Sequence, residues 1–103
     1  MPSNFKIIYY PAAEDDIKSI LDYITIDNPS AAYDLIEKID ETISALSLFP
    51  YAGSIPNDLN LKSKNYRMLI IDSYIVFYIV SEQSTTVEIM RVLSGKQNYK
   101  NLL

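Results

Sequence analysis

Apolar and polar positions alternate with two different periods along this chain, and the change of period divides it. Phe5 to Tyr10 (FKIIYY) is aromatic and β-branched and stops at a proline, which reads as a strand. Pro11 then opens a helix, where its missing N–H costs nothing. Ala13, Ile17, Ile20, Leu21 and Ile24 recur at the three-and-four spacing of one helical face, and the pattern ends near Asp27. Asn28-Pro29 is a cap followed by a first-turn proline, so a second helix starts at once. Its stripe is Ala32, Leu35, Ile36, Ile39, Ile43 and Leu46. So short a link between two amphipathic helices predicts an antiparallel helical hairpin, across which Tyr23 and Tyr33 could meet.

Phe49-Pro50 stops the second helix, and Pro50 to Lys64 reads as a loop. The period then becomes that of strands. Tyr66 to Ile71 is the second strand, Asp72-Ser73 a tight turn, and Tyr74 to Val80 (YIVFYIV) the third strand. That third strand is apolar on both parities, so it should be central and covered on both faces. Ser81 to Thr85 is a polar turn, Thr86 to Leu93 the fourth strand, and Gly95 its break. Gln97 to Leu103 is a tail with room for one helical turn. The order β-α-α-β-β-β predicts an α+β fold, its helical hairpin packed on one face of a mainly antiparallel sheet. The first strand's place in that sheet is open. At 103 residues, 1–103 form one domain.

Composition removes whole classes of chemistry. The chain has no histidine and no cysteine. Zinc enzymes, Ser-His-Asp hydrolases and Cys-His proteases are therefore excluded. Catalysis, if any, falls to Lys, Arg, Tyr, Asp, Glu or Ser, and no cofactor or metal is expected. Glu14-Asp15-Asp16 is no exception: neighbours on a helix point to different sides, and acids at a helix start suit its dipole. The start, MPSNFKIIYYPAAEDD, meets acids too early for a secretion signal, and Tyr74 to Val80 is too short to cross a bilayer. A soluble cytoplasmic protein without membrane contact is the expectation. The net charge of −4 divides unevenly: three lysines face nine acids up to residue 50, and six cations face four acids beyond it. The helices are acidic and the sheet half is mildly basic.

Several stretches, in order, carry a family likeness. They are Ala13 to Ile24 (AEDDIKSILDYI), Pro29 to Ala32 with Ile36, Ile39, Ile43 and Leu46, and Phe49 to Gly53 (FPYAG). Tyr66-Arg67-Met68-Leu69, Tyr74 to Tyr78 (YIVFY) and Ile89 to Leu93 (IMRVL) follow. Over about residues 5 to 99 the chain resembles the RelE/ParE superfamily of bacterial toxins. The resemblance implies a toxin of a type II toxin–antitoxin pair, neutralised by a cognate antitoxin. One branch, ParE-like, poisons DNA gyrase. The other, RelE-like, cuts ribosome-bound mRNA without a metal. A RelE-like site would use Arg67, Arg91 and Tyr99 catalytically, and Lys62, Lys64, Tyr66 and Lys96 would touch substrate or target.

Where many relatives carry a histidine, this chain has Ser94, which shifts weight towards gyrase inhibition. A third reading is a non-toxic module that binds antitoxin or dimerises, and either a homodimer or a toxin–antitoxin complex is compatible with the chain. Arg67 and Arg91 also have an ordinary structural reading. Arg91 shares parity with Val87, Ile89 and Leu93, and Arg67 with Leu69 and Ile71. Charges at such positions pair with an acid or sit at a strand end, and Asp72 and Glu88 are the acids nearest in sequence.

Overall fold

Asn28 divides the helical half of the chain. Its N–H bonds Ile24 O at 2.8 Å to close the first helix, and its side chain accepts Ala31 N–H at 3.1 Å to open the second. The structure, a computed structural model, describes residues 4–103. Strand β1 is Lys6–Tyr9, helix α1 Pro11–Asp27 and helix α2 Pro29–Ser44, which runs into a 3-10 turn at Ala45–Ser47. A short helix α3, Leu59–Ser63, precedes strands β2 (Arg67–Ile71), β3 (Tyr74–Ser81) and β4 (Thr86–Ser94). A second 3-10 turn, Tyr99–Asn101, lies in the tail.

Helix α3 corrects the expectation of a continuous loop from Pro50 to Lys64. Asp58 caps it by accepting Leu61 N–H at 3.1 Å. With five residues it is too short to show a helical period. The hairpin forms as expected, but Tyr23 and Tyr33 do not meet and both are exposed. Ile36 is likewise partly exposed, because the stripe of α2 buries Leu35, Ile39 and Ile43 and leaves Ile36 at the seam with α1.

The sheet order is β1-β4-β3-β2, with β1 parallel to β4 and the other pairs antiparallel. This places the first strand at an edge, and the hairpin and the segment after it carry the chain across to β2 at the opposite edge. Strand β3 is central and buried on both faces. Val76 and Tyr78 join Val87, Ile89, Val92, Leu35, Ile39 and Ile43 on the helix side. Ile75 and Phe77 join Leu93, Leu61 and Tyr66 on the other side, where half-buried Tyr99 and Leu103 close the cover. Burying a side chain such as Phe77 or Tyr78 contributes about 1.5–3 kcal/mol, so β3 anchors both layers.

One irregularity interrupts the ladder between β3 and β4. Phe77 pairs with Arg91 and Tyr78 with Ile89, so Met90 bulges out of register. Parity therefore reverses within β4: Val87 and Ile89 face the helices, whereas Leu93 faces away. No helix among the described residues is long and apolar enough to cross a membrane.

Candidate functional site

Tyr78 is where the central strand controls a surface loop. Its ring is fully buried, and a buried hydroxyl needs partners. It donates to Pro50 O at 2.9 Å and accepts Gly53 N–H at 2.8 Å. Burial pushes the Tyr78 pKa up, and the Gly53 N–H opposes this. Arg67 pairs with Tyr78 across the ladder and grips the same loop. Its Nη1 donates to Gly53 O at 2.8 Å and to Tyr51 O at 3.3 Å, and its guanidinium lies 4.8 Å over the Tyr51 ring. Ser54 and Met68 exchange two backbone bonds at 2.9 Å. Gly53 fits because it is small: a Cβ there would lie 2.6 Å from both Met68 O and the Tyr78 hydroxyl oxygen.

Tyr51, Ile55, Lys62, Asn65, Tyr66, Arg67 and Val80 line a cleft of about 340 Å³ beside this loop. Asn65 enters β2 with a left-handed backbone, φ 65°. The Tyr51 hydroxyl donates to Glu82, and that bond raises the Tyr51 pKa first of all. Among the described residues the ion pairs are Lys38–Asp72, Arg91–Asp16 and Lys100–Asp58, so Lys62 and Arg67 have no carboxylate within 4.0 Å. Arg67 Nε and Nη2 have no protein acceptor there either. The cleft is a positive site with donors to spare, suited to an anion. No group of three or more acids among the described residues stands close enough to hold a metal ion.

Of the residues expected to act together, this cleft gathers Lys62, Tyr66 and Arg67. Tyr66 forms part of its floor, buried edge-on against Phe77 with ring centres 6.3 Å apart. Burial raises the Tyr66 pKa, with Arg91 opposing. The others lie elsewhere. Arg67 and Arg91 sit in adjacent cross-strand rows, Arg67–Tyr78–Ile89 and Met68–Phe77–Arg91, which alternate between the faces of the sheet. Tyr99 packs at a tilt of 41° against Phe77, ring centres 5.1 Å apart, and lines another cleft with Asp58 and Lys100. Lys64 Nζ donates to Leu103 O at 3.1 Å. Lys96 is exposed in the turn after β4, its N–H on Ser94 Oγ at 3.2 Å.

Arg91 has a partner that lies far away in sequence. Nε donates to Asp16 Oδ2 at 2.7 Å and Nη2 to Asp16 Oδ1 at 2.9 Å. That hydrogen bond leads the causes that raise the Arg91 pKa. Strand β1 stops at Tyr9, opposite Ile89, so β4 has a bare edge beyond that point. Asp16 covers it by also accepting Val92 N–H at 3.0 Å. The sequence neighbours Asp72 and Glu88 are engaged elsewhere, on Lys38 at 3.2 Å and on the Tyr10 hydroxyl at 2.8 Å. The contributions of Asp16, Tyr51, Asn65 and Tyr78 have no local signature apart from Asp16, which stands on the apolar stripe of α1.

The chain matches, over residues 7–99, the family described as ParE toxin of type II toxin-antitoxin system, parDE. No curated protein matches it. Among solved structures it is similar to the chromosomal ParDE toxin–antitoxin system of P. aeruginosa, with a TM-score of 0.70 and 17% identity over 87% of this chain and 95% of that one. It is also similar to the RelBE2 toxin–antitoxin complex of Mycobacterium tuberculosis, with a TM-score of 0.64 and 17% identity over 91% and 94%. At such identity these two share the fold, and the fold is common to both kinds of system.

Proposed function

The chain belongs to the ParE toxin family of type II toxin–antitoxin systems, and on that premise we propose that it arrests growth by inhibiting DNA gyrase in the bacterial cytoplasm and is neutralised by a cognate antitoxin. One observation carries the choice of target. Attack of a ribose 2′-OH on phosphate needs charge stabilisation and proton transfer within one small volume. Arg67 instead lies in the cross-strand row that faces the opposite side of the sheet from the row of Arg91 and Phe77, against which Tyr99 packs, and Arg91 is held by Asp16. An inhibitor that works by binding needs only a preformed surface, and the cleft beside Tyr51 offers one. The toxin–antitoxin assemblies among similar structures support an antitoxin partner.

A RelE-like nuclease has one observation on its side: among the described residues Lys62 and Arg67 lack carboxylate partners, as a phosphate contact would require. One induction experiment separates the two. Expression without antitoxin is expected to produce DNA breaks and filamentous cells, and the purified protein to block gyrase supercoiling. Primer extension should find mRNA intact. Cut mRNA with undamaged DNA refutes gyrase inhibition, and unslowed growth at full protein levels leaves a non-toxic module. Copurification with the product of a neighbouring gene tests the antitoxin.

A further inference from the structure

We propose that the loop from Leu48 to Leu59, with the cleft it walls, is a docking surface for a protein segment that presents a carboxylate beside a bulky apolar side chain. That the segment's owner is the toxin's target rests on the proposed function; the surface itself does not.

The loop is apolar where it should not be. Leu48, Phe49, Tyr51, Ile55 and Leu59 are between 48% and 80% exposed, five large apolar side chains within twelve residues. Tyr51 and Ile55 among them line the cleft, and exposed apolar side chains gathered at one place mark interaction sites. Their exposure is not the result of a loose loop. Tyr78 fixes Pro50 and Gly53, Arg67 fixes Tyr51 and Gly53, and Ser54 pairs with Met68. A partner therefore meets a surface already ordered, and binding loses little to conformational entropy.

Charge defines the rest of the partner. Lys62 and Arg67 line the cleft and, among the described residues, form no ion pair. Arg67 lies over the Tyr51 ring, and Tyr51 is fixed in turn by Glu82. Glu82 is thus committed to a hydroxyl instead of to the guanidinium. A carboxylate can take the remaining Arg67 donors as a fork while its apolar neighbour packs on Ile55 and Val80. Nucleic acid fits less well. Two cations neutralise about two phosphates, whereas sequence-independent binding draws on a stripe of them, and the chain as a whole carries −4.

The test is an amide-shift titration of the 15N-labelled protein, free of gyrase. The probes are the capped peptide AELFA, its uncharged counterpart AQLFA and a thymidine hexanucleotide. AELFA is expected to shift the amides of Tyr51, Gly53, Asn65 and Arg67. AQLFA should bind about tenfold more weakly or worse, the cost of one charge-assisted hydrogen bond. The surface variants Ile55→Ser and Lys62→Gln should keep the rest of the spectrum and lose the AELFA shifts. Equal binding of both peptides overturns the proposal, as do shifts centred elsewhere or no shifts at all. Tighter binding of the hexanucleotide at these same amides also overturns it, in favour of nucleic acid. Failure of the protein to inhibit gyrase leaves a positive titration standing, so the two readings fail separately.

Discussion

Asp16→Ala tests what Arg91 is for. The Asp16 carboxylate accepts two guanidinium N–H groups at 2.7 and 2.9 Å and Val92 N–H at 3.0 Å. The side chains of Arg91 and Asp16 are 25% and 13% exposed. An exposed ion pair contributes about 0–1 kcal/mol. Breaking a buried one by removing a partner costs about 3–5 kcal/mol. The observed exposure lies between these limits, and water can reach the freed guanidinium through the open cleft that Asp16 and Arg91 line with Tyr23, Tyr74 and Gln97, so a loss of about 2 kcal/mol is expected for the pair. The orphaned Val92 N–H adds up to about 1 kcal/mol. A loss of about 2–3 kcal/mol lowers Tm by roughly 8–24 °C in a domain of this size. Urea unfolding followed by circular dichroism measures it, for Asp16→Ala, Arg91→Ala and the double variant. If the two side chains act as a unit, the losses are far from additive, with a coupling of at least about 1 kcal/mol. Growth arrest gives the functional half of the test. If Arg91 matters through the pair, both single variants weaken toxicity alike and in step with the amount of folded protein. A loss below about 1 kcal/mol with no coupling refutes the energetic reasoning. Loss of toxicity in Arg91→Ala alone, at unchanged stability, shows that Arg91 touches the target directly.

Gly53→Ala should destabilise by about 1–3 kcal/mol, because its Cβ would lie 2.6 Å from a backbone oxygen that cannot move cheaply; the urea midpoint measures this, and the amides of Tyr51 and Ser54 should shift while those of the hairpin stay. Tyr78→Phe leaves Pro50 O and Gly53 N–H without their buried partner and should cost about 2–3 kcal/mol by the same measurement. Tyr78 also sets an alkaline limit. Its pKa is raised in the fold, so above about pH 10 the unfolded chain sheds a proton that the native state keeps, and stability falls as pH rises through that window. Tyr78→Phe should flatten that slope without abolishing it, since Tyr9 and Tyr66 are raised as well. At the acid end, the Asp58 carboxyl is held below its usual pKa, chiefly by Leu61 N–H and also by Lys100. Its contribution is present above the unfolded value and lost as pH falls through the lower folded one. Asp58→Asn, which can still cap α3, should show less acid destabilisation than the natural chain in urea titrations run from about pH 5 down to pH 2.

Long periodic elements were legible because burial imposes their period. The stripes of α1 and α2, the Asn28-Pro29 junction and the two-faced apolar run of β3 each state a physical requirement that few alternatives meet. Short features were not. Helix α3 makes too few turns to repeat, and a bulge is one extra residue, invisible in composition. The bulge at Met90 mattered most. Strict alternation puts Arg91 on the face of Val87 and Ile89, whereas the ladder places it opposite Phe77. In the same way, Lys62, Tyr66 and Arg67 lie close enough in sequence to suggest a shared cleft, but its other wall comes from Tyr51 and Ile55. That wall is set by the hydroxyl of Tyr78, which in a strand reads only as a good strand former.

One long-range contact did leave a trace. Asp16 lies three residues after Ala13 and four before Ile20, so it falls on the apolar stripe of α1, unlike Glu14 and Asp15. A carboxylate on a buried face must be neutralised or paired, because leaving it alone costs far more than a pair recovers. Arg91 is the corresponding misfit in β4, a fixed cation within an apolar strand. Each residue taken alone has several explanations. Taken together they satisfy one another, and a pairing between them requires α1 to lie along the edge of β4 that β1 leaves bare. That requirement fixes the sheet order on the β1 side, which periodicity left open. It also explains why Arg91 is held at the sheet edge along α1 while Arg67 stays with the cleft.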